Sequence, residues 1–115
     1  MKKEDTINID KLLKELNKNL KKLFGNKLKR CFLFGSSAQQ TQTEDSDIDV
    51  LVLINLPKDR IENYLIKLDE ITLDLSLKYD VVVSLLVKNT DEFYQYSDVL
   101  PLYRNIVKEG KEIYG

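Results

Sequence analysis

Residues 47–54 constrain the fold more than any other part of the chain. Two carboxylates, Asp47 and Asp49, stand two residues apart, and the unbroken apolar run 50–54 follows them. A run of Val, Leu and Ile of that length suits a strand buried on both faces, so this segment is expected in the middle of a sheet. Side chains two apart on a strand project to one face. Asp47 and Asp49 are therefore expected side by side at the strand's start, with Ile48 and Val50 turned to the other face. Upstream, residues 30–34 read as a first strand that runs into the small-residue turn Gly35-Ser36-Ser37-Ala38. Ten residues separate Ser36 from Asp47.

The remaining pattern is helical with one further strand. Leu12, Leu13, Leu16, Leu20, Leu23 and Phe24 recur at helical spacing over residues 8–24, with lysines between them. Asn8 or Asp10 can cap that helix, and Gly25-Asn26 stops it. Residues 35–42 are expected as a turn and a short helix. Pro57 marks a helix start, and Ile61, Tyr64, Leu65, Leu68, Ile71 and Leu75 form its apolar stripe to about Lys78. A third strand is expected over 80–87, opened by Asp80. Thr90 starts another helix, whose Phe93, Tyr94 and Tyr96 suit either a core or a partner surface. A last helix, 102–108, is closed by Gly110. The order implies a single α/β (α+β) domain over 1–115, a small mixed sheet flanked by helices. The basic helix 8–24 precedes a core over 30–115.

Composition removes most other chemistries. There is no His and a single Cys, Cys31, so an internal disulfide is excluded and a zinc site disfavoured. One thiol and no leader-like N-terminus fit a cytoplasmic protein, and no apolar run is long enough to span a membrane. Residues 1–30 hold ten Lys and Arg against four Asp and Glu, a net of +6, and the rest carries a net of −7. The overall balance of −1 argues against polymeric nucleic acid as a partner. The basic front end is read as a solvated helix face that could assist in drawing in a nucleotide.

The chemistry-bearing residues are acidic and small. Two like charges side by side on a strand make sense with a divalent cation between them. If the second and third strands are neighbours, Asp80 falls beside Asp49. Three carboxylates can then hold two Mg²⁺ ions, with Mn²⁺ as a substitute. Gly35 leaves room for a close approach, and the amides of Ser36, Ser37 and Ala38 can point at phosphate oxygens. The combination suits a nucleoside triphosphate held by the turn and neutralised by cations on the carboxylates.

These residues resemble a known family. Gly35-Ser36, ten residues and then Asp47-x-Asp49 is similar to the signature of minimal nucleotidyltransferase (MNT) domains in the DNA polymerase beta superfamily, with Asp80 where that family has its third metal-binding carboxylate. The segment 100–110, followed by Ile113-Tyr114, resembles the usual ending of such stand-alone domains. The resemblance implies that Gly35, Ser36 and Ser37 bind the triphosphate. It also implies that Asp47, Asp49 and Asp80 bind two Mg²⁺ ions and carry the catalysis. Closest in kind are the antitoxins of HEPN–MNT toxin–antitoxin pairs, which implies transfer of AMP from ATP to a Tyr of an RNase-type HEPN toxin, and a homo- or hetero-oligomer. Two other readings stay open: a small-molecule, aminoglycoside-type nucleotidyltransferase, and a partner that neutralises a toxin by binding alone. The chain departs from the pattern at Gln39-Gln40, where the family commonly has a basic residue and Gly.

Overall fold

The computed structural model describes residues 2–34 and 48–114, with side chains from Ile9 onward. Its sheet is organised around β2 (Ile48–Ile54), which is buried at every residue except the half-buried Asp49. β2 pairs antiparallel with β1 (Leu28–Phe34) and parallel with β3 (Val83–Asn89). β4 (Lys111–Tyr114) pairs antiparallel with the other side of β1, so the order is β3-β2-β1-β4. A parallel pair needs a crossover, supplied here by α2 (Lys58–Ile61) and α3 (Leu65–Tyr79). The mixed sheet flanked by helices is the expected fold class.

Strand alternation sorts the core into two layers. On one face Ile48, Val50, Val52 and Ile54 of β2 meet α1 (Lys2–Phe24), through Leu12, Leu16 and Leu20, and α3, through Leu68 and Leu75. On the other face Leu51 and Leu53 meet α4 (Thr90–Tyr96) and α5 (Pro101–Glu109), through Phe93, Tyr103 and Ile106. Phe93 is fully buried, its ring 4.7 Å from that of Tyr103, whereas Tyr94 and Tyr96 are exposed. The aromatic stretch is thus divided between core and surface.

The helix ends explain the boundaries. Gly25 takes φ +58, as a helix stop requires. α3 ends at Asp80, which adopts the left-handed conformation (φ 55, ψ 46) with its N–H donated to the Ser76 carbonyl. Asp is one of the few residues besides Gly that tolerates this geometry. The expected strand opening at Asp80 is corrected accordingly: Asp80 closes a helix, and β3 starts at Val83. The Val83 N–H is donated to Ser76 Oγ at 3.0 Å, which ties the strand's entry to the helix end. Asn89 ends β3 and caps α4, its Oδ1 accepting from the Glu92 N–H at 2.9 Å. β4 was not expected from the sequence. Beyond its pairing with residues 31–33, it is held by Asn17 Nδ2, which donates to the Ile113 carbonyl at 2.9 Å.

Candidate active site

Three strands bring one row of residues together. In the sheet register Phe34 lies opposite Asp49, and Asp49 lies opposite Ser84. Asp49 shares the parity of Leu51 and Leu53, so it projects to the α4/α5 face of the sheet. β1 leaves the sheet at Phe34 and β2 enters it at Ile48, so both ends of the connecting segment are fixed at this end of the sheet. The entry to β3 is there too, through the hydrogen bond from the Ile48 N–H to the Val82 carbonyl at 2.8 Å.

Of the residues expected to act, Asp49 is placed within this row. Gly35, Ser36, Ser37 and Asp47, with Gln39 and Gln40, lie outside the described residues. Asp80 is exposed at the close of α3. It precedes Ser84 by four residues, a separation of up to ~13 Å along an extended chain. The side chain beside Asp49 on β3 is therefore Ser84, which reasoning from sequence missed. Finding it required the parallel register, which no local pattern of residues encodes.

The donor chemistry fits a hard cation. The chain has no His, and burial pushes the Cys31 thiol up to about 12, so it offers no thiolate near neutral pH. What remains is oxygen: the Asp49 carboxylate, the Ser84 hydroxyl and the other carboxylates expected near them. Among the described residues no three His, Cys, Asp or Glu side chains are grouped closely enough to hold a metal. The basic α1 packs on the face of the sheet opposite to Asp49. Its lysines therefore do not converge on the site across the sheet.

A second polar cluster stands away from the row. Arg30 Nε donates to Glu112 Oε2 at 2.7 Å and Arg30 Nη1 to Tyr94 Oη at 2.7 Å, joining β1, β4 and α4. Those two bonds raise the Arg30 pKa. Arg30 lies opposite Leu53, at the far end of β2 from Asp49, so the cluster is structural.

Comparison with known proteins agrees with this architecture. A family model described as "Nucleotidyltransferase domain" matches residues 13–114, and the chain belongs to that family. A relative from Methanocaldococcus jannaschii, named "putative protein adenylyltransferase", is 32% identical over 94% of this chain and all of its own length. A solved toxin–antitoxin structure with AMP-PNP superimposes with a TM-score of 0.55 at 28% identity, covering 94% of this chain and 71% of that one. Another, of a tri-AMPylated Shewanella oneidensis HEPN toxin in complex with its MNT antitoxin, has a TM-score of 0.53 at 25% identity, covering 96% and 72%. The chain is a nucleotidyltransferase, in agreement with the family resemblance of its sequence. Among the described residues no helix is long and apolar enough to cross a membrane.

Proposed function

We propose that this chain transfers AMP from ATP to a tyrosine hydroxyl of a cognate HEPN-type RNase and thereby acts as its antitoxin in the cytoplasm. The observation that carries the reading is the position of Asp49, half-buried at the start of a central strand in a chain of this family. The relatives and structural neighbours, which include adenylyltransferases and MNT antitoxins with an ATP analogue or an AMPylated toxin, support the choice of reaction and partner.

Asp47 and Asp49 would hold Mg²⁺, or Mn²⁺ in its place, and Asp80 is proposed as the third carboxylate, reaching in from the close of α3. When bound, such ions neutralise the triphosphate and favour loss of a proton by the acceptor hydroxyl. The turn of Gly35, Ser36 and Ser37 is proposed to hold the β- and γ-phosphates through backbone amides and hydroxyls. The acceptor oxygen attacks the α-phosphorus, the new P–O bond forms as the bond to the β-phosphate bridging oxygen breaks, and pyrophosphate leaves. In this reading Asp80 would also help take the acceptor's proton. The sheet register sets Asp49 between Phe34 and Ser84, and catalysis in this reading would be mostly positioning and charge neutralisation.

Incubating the chain with labelled ATP, Mg²⁺ and the protein encoded by the adjacent gene tests the reading. Label is expected on the neighbour, with pyrophosphate released in equal amount. A folded enzyme that leaves the neighbour unlabelled overturns it.

A further inference from the structure

α3 is apolar on two opposite sides. Leu68 and Leu75 face the sheet and are buried, whereas Ile66, Leu73 and Leu77 are 75%, 59% and 74% exposed. Each residue advances a helix by about 100°, so each of these three, two positions from a core leucine, lies roughly 200° from the core. They recur at intervals of seven and four residues and form one straight ridge about 16 Å long. A helix that covers a sheet normally carries polar residues on its outer side. Three large aliphatic side chains in a line there mark a surface that is covered in use.

Charge selects the occupant. Glu70 lies within the ridge, and Asp69 and Asp74 flank it on its two sides. Among the described residues none of these carboxylates has an ion-pair partner, and Lys78, the nearest cation toward the helix end, is engaged by Glu15 at 2.6 Å. Within α3 the remaining cation is Lys67. A second copy of α3 would bring carboxylates against carboxylates. Nucleic acid and anionic lipid are repelled for the same reason. A ridge with i, i+7, i+11 spacing matches the groove along another helix. We propose that the outer face of α3 docks an amphipathic helix of a protein partner, whose aliphatic stripe is flanked by Lys or Arg. The surface lies on the side of the sheet away from Asp49, so a partner held there leaves the transfer site open. The proposal does not depend on the transferase reading.

The test uses the full chain and two synthetic helical peptides with Leu at heptad a and d positions, one flanked by Lys and one by Glu. Titration calorimetry is expected to show the Lys-flanked peptide binding at least about tenfold more tightly than the Glu-flanked one. Ile66→Ser/Leu73→Ser/Leu77→Ser is expected to abolish that binding with the thermal midpoint preserved. If this variant unfolds, Asp69→Asn/Glu70→Gln/Asp74→Asn serves instead and is expected to erase the preference between the peptides. No binding by the Lys-flanked peptide, or binding that survives both variants, overturns the proposal. So does a chain that sediments as a dimer and becomes monomeric when the ridge is replaced, because the occupant is then a second copy.

Discussion

Asp49 and Ser84 are neighbours on parallel strands, about 4.8 Å apart in the hydrogen-bonding direction. Asp49→Asn removes a charge and little volume, so the fold is expected to survive while AMP transfer falls on the order of 10²–10³-fold. Circular dichroism with a labelled-ATP assay checks both halves of that statement. Ser84→Asp sets a second carboxylate beside the first. Like charges directly across a strand pair cost about 0.2–1 kcal/mol, so this variant is expected to melt below wild type in chelator and to gain more from added Mg²⁺. Equal Mg²⁺ responses in the two proteins would show that Asp49 does not face a cation there. Asp49 could be read from the sequence because the Asp-x-Asp spacing is local. Ser84 could not, since nothing in its own segment shows which strand lies beside it. Asp80 was misplaced for a related reason: an Asp before three valines looks like a strand opening until the left-handed cap of α3 is seen.

At the scale of elements, α1 and α3 are clasped by Glu15, whose Oε1 accepts from Lys78 Nζ and from Tyr79 Oη, each at 2.6 Å. The Lys78 bond first, then the Tyr79 bond, lowers the Glu15 pKa from its ordinary 4.5. The same contacts raise Lys78 and Tyr79 from 10.5 and 10.0. A lowered acid stabilises above its unfolded pKa and loses that contribution as pH falls through the folded value. A raised base, or a raised phenol, stabilises below its unfolded pKa and loses it as pH rises. The stability difference between wild type and Glu15→Gln is therefore expected to be widest from about pH 5 to 9 and to shrink outside it, as urea titrations at several pH values can measure. The turn from α5 into β4 is equally specific. A Cβ at Gly110 would collide with the Ile106 carbonyl, so Gly110→Ala is expected to cost about 1–3 kcal/mol. The helices were legible because their apolar stripes are long, as in Leu12, Leu16 and Leu20, but their bounds were not: α1 starts at Lys2 and not at a cap on Asn8 or Asp10, and the helix expected from Pro57 to Lys78 is divided into α2 and α3. β4 was not legible, because four residues, two exposed and then two half-buried, carry too little pattern.

For the molecule as a whole, the two core layers are unequal in kind. One is mainly aliphatic and spans α1, α3 and three strands; the other is smaller and built round Phe93, Tyr103 and Leu51. Leu51 is fully buried under the second layer, and Leu51→Ala is expected to cost about 2–5 kcal/mol, read from a denaturant midpoint. The sequence announced the central strand but could not say which helices lie on which side of it. That division decides that the lysine-rich α1 and the candidate site occupy opposite faces. β4 has a consequence of its own. It mates with Cys31, Phe32 and Leu33 and so closes one flank of the sheet. A chain cut back to Gly110 would bare that row of main-chain donors and acceptors, an open template for strands of other molecules. Such a chain is expected to scatter light and bind amyloid dyes at concentrations where the intact chain stays clear.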